Sequence, residues 1–192
     1  MSLLNRRNFL VGAGSSLIGI GSGHALAHND AGRVVPPQAI PELELTLDDD
    51  KAAKLSAFLA DHVTAVQLMF TSCQATCPIQ GALFAEAAKK LGDKVAGAQL
   101  LSISIDPDHD NPAELRAWLQ KFGRSPIWRA ARPKKDQLQA LVDVLKSKKP
   151  GPDPHTAQVY YLSRKGELVM RSVDFPPASD IARSLTELAA KK

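Results

Sequence analysis

The apolar positions of this chain recur with two periods. Glu42-Leu43-Glu44-Leu45-Thr46-Leu47 alternates polar and apolar residues, which predicts a half-exposed strand. Asp48 to His62 places Leu55, Phe58 and Leu59 at helical spacing and predicts a short helix. The apolar run Val66 to Phe70 predicts a strand, and Ile79 to Leu91, preceded by Pro78, predicts the helix that follows it. Ala98 to Ile105 reads as a buried strand and Asp106 to Asn111 as a loop. Asn111 is placed to cap a helix, with Pro112 at its first position and Glu114 completing a capping box; Gly123 stops that helix after Phe122. Ile127-Trp128-Arg129-Ala130 predicts a short strand, and a stripe of Leu138, Leu141 and Leu145 predicts a helix from Lys134 to Leu145. Gln158 to Ser163 and Leu168 to Val173 predict two strands joined at Arg164-Lys165-Gly166, and Pro177 to Ala190 a closing helix.

Strand–helix–strand–helix, then a hairpin and a last helix, is the order of a thioredoxin-like α/β sandwich, a central mixed sheet flanked by helices. Such a sheet binds or reacts at the C-terminal end of its first central strand. Phe70-Thr71-Ser72-Cys73-Gln74-Ala75-Thr76-Cys77-Pro78 occupies that point.

The first residues change the picture by setting a compartment. Asn5-Arg6-Arg7-Asn8-Phe9-Leu10 is a twin-arginine export pattern; a weakly apolar, Gly-rich segment runs from Phe9 to Ile20, and Ala25-Leu26-Ala27 is a cleavage site. Gly12, Gly14 and Ser15-Ser16 break the apolar segment, which is short against the ~20 residues a membrane span needs. The expectation is an export signal over 1–27, an extended polar arm with Pro36-Pro37 over 28–41, and one domain over 42–192. The mature protein then lies in the periplasm, exported by the twin-arginine machinery and not spanning the membrane. Removing Arg6 and Arg7 with no acids takes Lys+Arg from 24 to 22 against 20 Asp+Glu, so net charge falls from +4 to +2. No basic run is interleaved with aromatics, which argues against nucleic acid as a partner.

Cys73 and Cys77 are the only cysteines, too few for a disulfide-stapled scaffold. They sit on a strand-to-helix turn, where unpaired N–H groups and the positive dipole end favour thiolate. Two such thiols can form a Cys73–Cys77 disulfide or hold a soft metal such as Cu(I). The Cys-x-x-x-Cys spacing is one residue longer than a thioredoxin-type pair. A redox pair needs no third group, whereas a trigonal Cu(I) site needs one more ligand, and imidazole suits it.

His155, in Asp153-Pro154-His155-Thr156, precedes the strand that lies beside the cysteine turn in a thioredoxin-like fold, and it is the candidate third ligand. His109, among Asp106, Asp108 and Asp110, reads as a solvated loop residue, and His62 as a helix-end cation. Cleavage after Ala27 makes His28 the first residue, whose amine and imidazole together can chelate Cu(II), although a disordered first residue is the plainer reading.

At these residues the chain resembles the Sco/SenC family of copper-binding, thioredoxin-like proteins, from Leu43 to the C-terminus. The resemblance rests on Phe70-Thr71-x-Cys73-x-x-x-Cys77-Pro78, on Ser102-Ile103-Ser104-Ile105-Asp106-Pro107-Asp108-x-Asp110-x-Pro112-x-Glu114, and on His155-Thr156 with Gly166 at the next turn. It implies copper, as Cu(I) or Cu(II), bound by Cys73, Cys77 and His155. It further implies a role in maturing the copper centres of cytochrome c oxidase, by delivering metal or by reducing the cysteines of a copper-site subunit. Gln74 stands where the family usually has Pro, and Pro154 where an Asp commonly precedes the histidine.

Three rivals share parts of this pattern. A thiol peroxidase places Thr three residues before its reactive cysteine, where this chain has Phe70 and Gln74. A structural zinc site takes four protein ligands, against three candidates here. A thiol–disulfide oxidoreductase, with Cys73 as nucleophile and Cys77 as resolving thiol, is the main alternative to a periplasmic copper chaperone.

Overall fold

The computed structural model describes residues 31–92, 95–147 and 156–191 of the 192. Eight strands form one mixed sheet. In chain order they are β1 (Gly32–Ala39), β2 (Glu44–Leu47), β3 (Ala52–Lys54), β4 (Val63–Met69), β5 (Ala98–Ser104), β6 (Trp128–Pro133), β7 (Tyr160–Leu162) and β8 (Glu167–Arg171). The helices are α1 (Leu55–Leu59), α2 (Thr76–Leu91), α3 (Pro112–Lys121), α4 (Lys135–Leu145) and α5 (Ala178–Ala189). The sheet runs β1-β8-β7-β4-β5-β6-β2-β3. Its centre is parallel, with Val66 opposite Leu101 in β5 and Leu101 opposite Arg129 in β6. β7 pairs antiparallel with β4, and β8 pairs antiparallel with β7. This is the predicted thioredoxin-like sandwich.

Alternation along β4 divides the core. Val63, Ala65 and Met69 face a cluster that includes Phe84 of α2, Trp118 of α3, Trp128 and Ile181 of α5. Val66 and Leu68 face a second cluster with Leu55 and Leu59 of α1 and Leu141 and Leu145 of α4. Three helices thus cover one face and two the other. Both faces of β4 are buried, which is why its sequence reads as a continuous apolar run. Thr64 and Gln67 are its buried polar residues; Thr64 Oγ1 accepts from Gln99 Nε2 at 3.0 Å, Gln67 Nε2 donates to Ser102 Oγ at 2.9 Å, and Trp128 Nε1 donates to the same Ser102 oxygen at 2.9 Å.

Several boundaries differ from the sequence expectations. The arm expected before the domain supplies β1, an edge strand paired with β8. Its register shifts between Arg33 and Gln38, across the two prolines that cannot donate to a ladder. The helix expected over Asp48 to His62 is instead a turn, the short strand β3 and five residues of α1, because β3 pairs with β2. α2 begins at Thr76, before Pro78, so Cys77 lies within its first turn. Asn111 caps α3 by accepting from the amides of Ala113 (2.8 Å) and Glu114 (3.1 Å), but its own amide donates to the His109 carbonyl, so the reciprocal half of the expected capping box is replaced. Among the described residues no helix is long and apolar enough to cross a membrane.

The parallel pairing of β4 with β5 and the antiparallel pairing of β7 and β8 bring one set of chain ends to a single edge. The ends of β4, β5 and β8 lie there with the start of β7. So do residues 71–77, 105–111, 156–159 and 172–177.

Candidate functional site at the dithiol edge

Cys73 is half-buried and Cys77 fully buried, and the two sulfurs are not joined in a disulfide. Their positions follow from how α2 starts. A helix leaves its first four N–H groups without intrahelical partners. The N-cap of α2 is Ala75, which has no side chain to accept from them. Cys73 Sγ takes that place instead, accepting the Cys77 amide at 3.4 Å. The Cys73 amide in turn donates to the Phe70 carbonyl at 3.2 Å, which closes the turn back onto β4.

Two effects compete at the Cys73 thiol. Burial pushes its pKa up. Hydrogen bonds from the amides of Cys77 and Ala75, the Cys77 side chain and the Thr76 amide outweigh burial and hold it below the ordinary thiol value. The geometry therefore sets a partly exposed, readily ionised sulfur against a fully buried one, four residues apart at one helix end. This pair can exchange with a disulfide or offer two soft donors to a metal.

A brace that sequence reasoning assigned no role holds the turn. Asp110 is 1% exposed. It accepts from the Thr71 amide at 3.2 Å, from Thr71 Oγ1 at 2.5 Å and from Ser104 Oγ at 2.5 Å. Thr71 lies two residues before Cys73, and Ser104 ends β5. A buried carboxylate with hydroxyl and amide donors on both strands locks the cysteine turn to the β5 end. Asp110 lies in the acidic stretch that carried the family resemblance, but 39 residues separate it from Thr71, and no local pattern announces that contact.

The remaining candidates fall as follows. His155 lies outside the described residues, as does His28. The described residue next to His155 is firmly held: the Thr156 amide donates to Ser147 O at 2.9 Å, and its hydroxyl bonds Tyr160 Oη at 2.5 Å. His109 is an exposed loop residue whose Nδ1 meets Asp106 Oδ1 at 2.8 Å; that hydrogen bond, then the Asp106 charge, raises its pKa. His62 Nδ1 lies 2.7 Å from the Ala60 carbonyl, in the turn after α1. Among the described residues no group of three His, Cys, Asp or Glu side chains is placed to hold a metal.

Two outcomes are expected. Asp110→Ala leaves the Thr71 amide and two hydroxyls without their acceptor, and each unsatisfied buried group costs ~1–3 kcal/mol. Denaturant unfolding should show a loss of at least ~1 kcal/mol, with faster alkylation of Cys77; wild-type stability and wild-type Cys77 protection would refute the brace. The Cys73 thiol should be alkylated with a pH midpoint below the ~8.5 of a free thiol. The sign is that of an acid with a depressed folded pKa: its contribution to stability is full above the ordinary thiol value and is lost as pH falls through the folded value. A midpoint at or above that of free cysteine would contradict the amide contacts.

Comparison with known proteins bears on the family and the fold. The SCO1/SenC family model matches residues 36–190. A SCO1/SenC family lipoprotein from Bacillus anthracis is 25% identical, with a TM-score of 0.70 over 81% of this chain and 99% of that one. Bradyrhizobium japonicum ScoI, solved with copper bound, is 22% identical with a TM-score of 0.65 over 78% and 99%. BsSco, described as a member of the Sco family of cytochrome c oxidase assembly proteins with a disulfide switch, is 19% identical with a TM-score of 0.70 over 82% and 96%. No curated protein sequence matches the chain. With the family model running from within β1 to α5 and the dithiol on the turn after β4, the chain belongs to the SCO1/SenC family.

Proposed function

We propose that this protein is a periplasmic copper chaperone. It carries copper on the Cys73 and Cys77 thiolates and the His155 imidazole, and delivers it to a copper-site protein such as a cytochrome c oxidase subunit. The observation that carries the reading is the contact of Cys73 Sγ with the Cys77 amide, because it sets two soft donors at one helix end where thiolate is favoured. Family membership and the copper-bound relative from Bradyrhizobium support the metal. Copper is cargo here. The chain's task is to present two sulfurs and a nitrogen and to release what they hold. For His155, the support is its position: it adjoins Thr156, which is anchored to Ser147 and leads into β7 beside β4. The twin-arginine pattern and the Ala25-Leu26-Ala27 motif support export by that machinery with cleavage after Ala27, and the mature binding domain then takes in the former arm as edge strand β1.

A second reading draws on the unequal thiols. Cys73 is accessible and its pKa is lowered, while Cys77 is buried behind it, the arrangement of an attacking and a resolving thiol. In that reaction Cys73 thiolate attacks a partner disulfide and displaces one partner sulfur. Cys77 then attacks Cys73, forming the Cys73–Cys77 disulfide and releasing the second partner sulfur. Two electrons pass to the partner, which also gains the two protons that the dithiol gives up. The disulfide observed as a switch in BsSco favours keeping this activity beside the metal role.

His155→Ala separates the two. Changes that only touch the surroundings of metal ligands cost ~10–100-fold in affinity, so loss of a ligand should cost at least that. Copper affinity of the reduced variant should fall by that factor. The Cys73–Cys77 disulfide should still form and still be reduced, because exchange depends on thiolate fraction and access. Unchanged copper affinity would sink the three-ligand site and leave the oxidoreductase reading.

A further inference from the structure

Large apolar side chains exposed to solvent are few. Among the described residues they are Val35, Ile79, Val173 and Phe175, and three of the four belong to the dithiol edge. Ile79, 52% exposed, follows Cys77 by two residues in the first turn of α2. Val173 and Phe175, 54% and 41% exposed, lie in the connection from β8 to α5. β8 runs in the same sense as β4, because each is antiparallel to β7. α2 and α5 therefore both begin at this edge, and they pack against each other on one face of the sheet. Ile79 lies in the first turn of α2, and the 173–175 segment leads into the start of the neighbouring α5.

Phe175 is exposed under strain. Its φ is +49°, a region that a bulky side chain rarely adopts. Two hydrogen bonds impose it: the Phe175 amide donates to the Ala157 carbonyl at 3.1 Å, and Asp174 Oδ1 accepts from the Ala157 amide at 2.8 Å. The sheet thus pins an aromatic ring outward beside the segment that follows His155. Strain kept by the surrounding structure clusters at functional sites, and exposed aromatics are the usual anchors of protein contacts.

We propose that Ile79, Val173 and Phe175 form the docking face for the copper-receiving protein, a folded domain that presents its own cysteine ligands behind a matching apolar rim. This rests on the chaperone reading above. The choice of occupant follows from reach. Cys77 is fully buried and Cys73 half-buried, so a partner sulfur can approach only if the partner's surface descends onto the residues around the turn. The carboxylates at this edge are already engaged: Asp174 with the Ala157 amide, Asp106 with His109, and Asp108 with Lys135. Size argues against a second copy of this chain. Three half-exposed side chains offer on the order of a few hundred Å², short of the ~800 Å² that each partner buries in a stable complex. A small apolar contact suits a carrier that must let go.

The test uses the reduced exported protein and the apo, reduced copper-site domain of the same organism's cytochrome c oxidase subunit. In the double variant Ile79→Ser/Phe175→Gly the glycine also relieves the positive φ, so thermal stability should match or exceed wild type. Copper stoichiometry should be unchanged. Affinity of the metal-free protein for the domain, and the second-order rate of copper transfer to it, should each fall at least 10-fold. Unchanged affinity and transfer would overturn the docking face, as would a wild-type protein that does not bind the domain at all. Concentration-dependent dimers of wild type that vanish in the variant would also overturn it, by assigning the face to a second copy. Failure of the chaperone reading looks different: wild type would then take up no copper while still binding the domain through this face.

Discussion

The Cys77 amide points at Cys73 Sγ from 3.4 Å, and the chemistry of the site depends on that contact. It uses a donor that every helix leaves unpaired at its start, and it uses it on a sulfur rather than on a capping hydroxyl. The contact exists because α2 begins at Thr76 and takes Cys77 into its first turn. One sulfur is thereby drawn toward the helix end and readied to ionise, while the other is buried against the core with Met69 and Phe84. Metal carriage and disulfide chemistry then compete for the same two atoms, since a disulfide leaves no thiolate to bind copper.

The turn that makes this contact is also held from outside. Asp110 supplies the hold. It bridges Thr71 on the cysteine turn and Ser104 at the end of β5, while the Ile105 amide donates to the Met69 carbonyl at 2.8 Å between the same two strands. On the other side, the 172–175 segment is bonded to Ala157 and Val159. The dithiol turn is therefore framed by two hydrogen-bonded loops, and the apolar rim stands on one of them.

The fold was largely legible because its signals are local. The apolar run into Met69, the helical stripe of Leu138, Leu141 and Leu145, and the hairpin at Arg164-Lys165-Gly166 each fix an element by their own periodicity, and the order of elements fixes the sandwich. The cysteines were legible for the same reason, as the only two thiols on a strand-to-helix turn. What escaped depends on tertiary pairing. β1 has two prolines and no alternation, yet β8 recruits it. The helix read over Asp48 to His62 lost its first half to β3 because β2 lay ready to pair. The bonds of Asp110 to Thr71 and the outward pinning of Phe175 join residues far apart in sequence, and no spacing rule reaches them.

The central claim is that one pair of sulfurs serves two exclusive states. Copper uptake measured on the same preparation in its reduced form and in its Cys73–Cys77 disulfide form tests it most directly. The account predicts about one copper per reduced chain, as one set of two thiolates and an imidazole allows, and little at this site in the disulfide form. Equal, equally tight uptake by both forms would contradict it.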